Sequence, residues 1–124
     1  MGVHHHVSTA LAVAAGEAYE HAEANLVVID AAVAAIGARV DLAPDRFADL
    51  VRRFHVVLDT NRTAPSVMRI MVLADAARVA AGQAAERSHG WRSRRFWRRE
   101  YERVQYELVS QVAATLDALL AEAY

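Results

Sequence analysis

VMRIMVLADAARVAAG, residues 67–82, is the stretch on which the fold turns. Its apolar residues fall on nearly every side of a 3.6-residue helix, interrupted only by Arg69, Asp75 and Arg78. A helix of this kind must be enclosed by other elements rather than laid along a surface. Three charges within it rule out a lipid-spanning role. Thr63 offers a cap just upstream, and Pro65 sits in the first turn, where its missing N–H costs nothing.

The enclosing elements are legible on both sides. Upstream, Ser8 can cap a helix running to about Ala38, in which Leu11, Ala15, Ala18, Ala22, Leu26, Ile29, Val33 and Ile36 recur at three- and four-residue spacing. Pro44, followed by Asp45, opens a shorter helix that ends near Thr60, with Phe47, Leu50, Val51, Phe54 and Leu58 on its buried face. Downstream, after Ser88-His89-Gly90, a last helix keeps Trp97, Tyr101, Val104, Leu108, Val112, Thr115 and Leu119 close to one line as far as the C-terminus. No alternating apolar and polar run bounded by hairpin turns suggests a strand.

Short turns between four such helices predict an all-α fold: an antiparallel up-down-up-down four-helix bundle with long first and last helices, forming a single domain over residues 1–124 with residues 1–7 frayed. At ~1.5 Å per residue the outer helices should extend ~46 Å and the second only ~26 Å. One end is then left uncovered. A homodimer or higher oligomer is the simplest cover, built on Leu11, Val112, Leu116, Leu119 and Leu120.

A chain of 124 residues suffices for one core without metal or disulfide support. Cysteine is absent, so thiolate metal sites and a disulfide framework are excluded, and the cytoplasm is the expected location. The N-terminus lacks the cationic start of a signal peptide and turns acidic at Glu17. No membrane association is expected.

The net charge of −1 conceals an asymmetry. Residues 1–49 carry seven acids against two arginines, whereas residues 87–103 carry seven arginines against Glu100 and Glu102. The segment GWRSRRFWRREYER, residues 90–103, places most of this positive charge at the start of the last helix. Cations there oppose the helix dipole at about 0.3–1 kcal/mol each, so local stability does not account for them. An anionic compensator is required: acids of the same bundle, the acidic half of a second copy, or a phosphate-bearing partner. Trp97 and Tyr101 belong to the core line, which leaves Trp91 and Phe96 unassigned. Arg92, Arg94, Arg95, Arg98 and Arg99 therefore form the candidate anion-binding surface, for nucleic acid or an acidic protein, although no recognised nucleic-acid motif surrounds them.

Other constellations are weaker. His55 and Asp59 lie four apart on the second helix, with His21 of the first helix near the height of Asp59 and Asp75 and Glu107 on the third and fourth; together they supply the mixed donor types of transition-metal bundles, so a metal-dependent bundle enzyme is the alternative reading. The Glu-x-x-His motif of that class occurs only at Glu86–His89, at a helix end. Asp75 on an apolar face demands a partner, with Arg69, Arg78 and Asn25 as candidates. His4 to His6 read as part of a frayed start. The five glycines are scattered, and neither a phosphate-cradling loop nor a nucleophile triad is legible. No residue requires catalysis, and no cofactor is expected. The sequence thus predicts a small non-catalytic bundle that self-associates and binds an anionic partner.

Overall fold

The computed structural model describes the backbone of residues 2–122 and the side chains of residues 9–122. Within that span the chain forms α1 (Gly2–Tyr19), α2 (Ala22–Gly37), α3 (Pro44–Thr60), α4 (Pro65–Ala85) and α5 (Trp91–Glu122). No strand, cis peptide or positive-φ residue occurs among the described residues. His4 to His6 lie outside the described side chains.

Enclosure is what α4 obtains. Val67, Ile70, Met71, Ala74, Ala77 and Ala80 are almost fully buried, and this helix packs most extensively on α5 and then on α1 and α2. Ala15 and Ala18 of α1 are buried as well, so small side chains lie on both helices and their axes can approach closely. Ile29, Phe54, Ile70, Leu108 and Val112 are the large side chains at the centre of the core. They supply the apolar area that 27 alanines cannot.

The first predicted helix is in fact two. Glu20 and His21 leave the helical path: their N–H groups bond back three residues to Glu17 O and Ala18 O, and His21 takes φ −117°, ψ 32°. Neither proline nor glycine stands at this break. The side chain of Asn25 closes it from within, because Nδ2 donates to Ala18 O at 2.9 Å while the Asn25 backbone N–H restarts the ladder on His21 O. A side chain inserted into the backbone ladder is one of the recognised causes of a helix kink. α1 also begins at Gly2, upstream of the Ser8 start, and Ala64 rather than Thr63 is the residue flanking α4. The two outer elements therefore differ from expectation: α5 extends ~48 Å, whereas α1 and α2 reach only ~27 Å and ~24 Å.

Asn25 is fully buried and also joins α2 to α4. Its Nδ2 donates to Asp75 Oδ1 at 3.1 Å, and its Oδ1 accepts from Arg78 Nε at 3.0 Å. Arg78 Nη2 in turn bonds Asp75 Oδ1 at 2.7 Å. The carboxylate on the apolar face is thus paired by Arg78 and Asn25; Arg69 takes no part. At the other end of α2, Gly37 leaves room for a ring. A Cβ there would stand 2.5 Å from Phe47 Cε1, so only glycine permits this approach.

Candidate functional site

The α4–α5 turn fixes where the arginine-rich segment begins. His89 Nε2–H donates to Gln83 Oε1 at 2.7 Å, leaving Nδ1 to accept from the Ser93 hydroxyl at 3.2 Å, so one neutral tautomer satisfies both bonds. Glu86 accepts from the Ser88 backbone N–H and hydroxyl, and the backbone bond foremost holds its carboxyl below the usual glutamate value. Arg94 N–H then bonds Gly90 O, which starts the α5 ladder.

At 100° per residue, Arg94, Arg98, Trp91, Arg95, Arg99 and Arg92 follow one another around an arc of about 160°, with Phe96 just beyond its edge. All five arginines are exposed, and Trp91 and Phe96 remain 63% and 58% exposed, so two largely exposed aromatic rings lie within and beside the cationic arc. Arg92 lies over the Trp91 ring at 5.4 Å, and Phe96 meets Trp97 edge to face at 5.2 Å.

None of these five arginines forms an ion pair with a carboxylate among the described residues. The acid expected to neutralise them serves another residue. Arg103 holds Glu100 and, at 3.0 Å, Glu107, and its hydrogen bond keeps the Glu100 carboxyl below the usual range. Glu102 is exposed and makes no ion pair among the described residues.

The residues of the metal reading are dispersed. His21 is exposed at the α1–α2 break, Asp75 is taken by Asn25 and Arg78, and Glu107 by Arg103. His55 and Asp59 do share a pocket, but the partner of His55 is Asp30, 2.8 Å from Nε2. Among the described residues no three His, Cys, Asp or Glu side chains stand where they could hold one metal ion. Asp30, Tyr19 and Arg62, which complete that pocket, carry little sequence signal. Asp30 alone is noticeable, as the single charge inside the apolar run from Leu26 to Ile36.

Of the five residues assigned to an oligomer interface, Val112, Leu116 and Leu119 are buried in the chain's own core. They belong to the common core cluster, so their side chains are not free for a second copy. Leu11 and Leu120 are half-buried. Leu11 lines a groove of about 440 Å³ with Val72, Leu73 and exposed Tyr106, and Leu120 lines a cleft of about 380 Å³ with Ile36, Phe47 and Asp117. No helix among the described residues is long and apolar enough to cross a membrane. No family model, curated protein or solved structure matches the chain.

Proposed function

We propose that this protein is a non-catalytic helical-bundle binding protein that engages an anionic partner through Arg92, Arg94, Arg95, Arg98 and Arg99. One observation carries the reading: five exposed guanidinium groups occupy one side of a helix start without a carboxylate partner among the described residues. Their charges oppose the α5 dipole, and the backbone N–H groups there add further positive potential, an arrangement that attracts phosphate. Nucleic acid is the favoured partner over an acidic protein surface. Trp91 and Phe96 offer stacking faces beside the cations, as single-strand binders do. Contacts of this kind position a backbone without reading base sequence. A cytoplasmic setting belongs to the same proposal, as does an antiparallel bundle in which α1 and α2 together form the first leg.

The test is fluorescence anisotropy with random single-stranded and duplex DNA and RNA at ~50 mM salt, where electrostatic binding is strong. Wild-type protein should bind all sequences similarly, and the Arg94→Ala/Arg95→Ala/Arg98→Ala variant should bind much more weakly while retaining its helical circular dichroism. Equal binding by a folded variant, or none by the wild type, refutes the nucleic-acid reading. Binding only to acidic protein would transfer the surface to the second class of partner.

Self-association is the second part of the proposal, supported by Leu11, exposed Tyr106 and Leu120 beside the two open clefts. Light scattering after gel filtration should report at least twice the chain mass. A monomer whose thermal midpoint ignores concentration would remove this part and leave the anion surface standing.

A further inference from the structure

A pocket of about 270 Å³ opens beside the α1–α2 break, bounded by the end of α1, by α2, α3 and α4, and by the turn into α4. Its apolar wall consists of Leu26, Leu58 and Met71. The polar side is set by helical spacing: Asp30 lies one turn after Leu26 on α2, and His55 and Asp59 lie one turn apart on α3. Tyr19 closes one end. Its hydroxyl donates to the Arg62 carbonyl at 3.1 Å, and burial raises that hydroxyl above its usual value against the lowering effect of Arg62.

One cation of the chain itself already lies against the aromatic ring of this pocket. The Arg62 guanidinium carbon lies 4.2 Å from the centre of the Tyr19 ring, within cation–π range. An organic cation thus occupies the aromatic face of the pocket, supplied by the protein itself. Around it, Asp30 and Asp59 contribute two carboxylates. The His55 Nε2–H is directed at Asp30, 2.8 Å away, so it is not offered to a bound anion. Asp30 and Asp59 outnumber Arg62 among the formal charges that line the pocket, so an ammonium head meets more opposite charge there than an anion does.

We propose that this pocket binds a small primary amine with an apolar body, its ammonium group held between Asp59, Asp30 and the Tyr19 ring and its body against Leu26, Leu58 and Met71. Arg62 acts as a built-in competitor for the ring face. The volume lies at the small end for ligand sites and suits a molecule of about ten heavy atoms. The proposal is independent of the arginine arc on α5.

The experiment titrates full-length protein with phenethylamine, using the methyl signals of Leu26, Leu58 and Met71 as reporters, beside 3-phenylpropanoate, which carries a carboxylate in place of the ammonium group. Phenethylamine should shift these methyls saturably, and the carboxylate should not. Asp59→Asn should weaken binding about tenfold, the loss expected for one partly exposed charge-assisted hydrogen bond. Arg62→Ala should tighten it by freeing the ring face. Because Asp59 and Arg62 are exposed, both variants should stay folded, which circular dichroism checks. Saturable shifts of equal size with the carboxylate, no saturable shift with the amine, or unchanged affinity in folded Asp59→Asn would each overturn the proposal.

Discussion

Replacing Asn25 by alanine removes three hydrogen bonds at once, and the structure allows the cost to be apportioned. The bond to Ala18 O is the least costly to lose, because that carbonyl keeps the His21 N–H. The bonds to Asp75 and from Arg78 involve charged groups and are worth about 1.5–3 kcal/mol each when desolvated. Asp75 and Arg78 retain each other and are 25% and 32% exposed, so water recovers part of that loss. The net cost is then about 2–4 kcal/mol. With an unfolding entropy of about 2.1 cal/mol/K per residue, each kcal/mol corresponds to roughly 4 °C for a chain of this size, so the melting midpoint should fall by roughly 8–16 °C. Urea unfolding followed by circular dichroism measures it: the midpoint should fall with an unchanged slope. Asn25→Asp should cost more, because it sets a carboxylate 3.1 Å from the Asp75 oxygen. A double-mutant cycle between Asn25→Ala and Asp75→Ala should return a coupling of at least about 0.5 kcal/mol. A loss below about 0.5 kcal/mol for Asn25→Ala would refute the claim that this side chain holds the helix break to α4.

Two glycines should respond in opposite directions to the same change. Gly37→Ala should destabilise by about 1–3 kcal/mol, because the Phe47 ring must leave its seat, whereas Gly82→Ala, inside α4 with open space around it, should stabilise by about 0.5–1 kcal/mol; thermal melts of both variants decide the matter. Glu86 should titrate below an ordinary glutamate by NMR, owing chiefly to the Ser88 backbone N–H. A carboxyl depressed in the folded state contributes stability that is present above its unfolded pKa and lost as pH falls through its folded one, so Glu86→Gln should lower stability slightly at neutral pH and leave strongly acid pH nearly unchanged, which flattens the acid limb of the profile.

Most of the helical framework was legible because local signals and packing agree. Pro44 and Pro65 mark the starts of α3 and α4, and the line Val104–Leu108–Val112 is the buried face of α5. The break at Glu20–His21 was not, because AYEHAEAN contains only residues a helix tolerates, and the Asn25 side chain that bonds across it is also held by Asp75, fifty residues away. The expected single first helix is replaced by two shorter ones, both of which pack on α4. The pairing of Asp75 was readable from its i,i+3 relation to Arg78 and from Asn25 on the core side. His55 had no such neighbour on its own helix, since its partner Asp30 belongs to α2 and only the tertiary fold brings them together. The arginine arc is visible in the sequence, yet its lack of acid partners is not, because that depends on Glu100 turning to Arg103.

The salt dependence of nucleic-acid binding tests the central claim most directly. If about four of the five arginines meet phosphates of a duplex, the logarithm of the affinity should fall against the logarithm of salt concentration with a slope of about −3.6. Each Arg→Ala change among Arg92, Arg94, Arg95, Arg98 and Arg99 should reduce that slope by about one, with little effect on folding. Affinity that ignores salt, or a slope that survives removal of these side chains, would contradict the account.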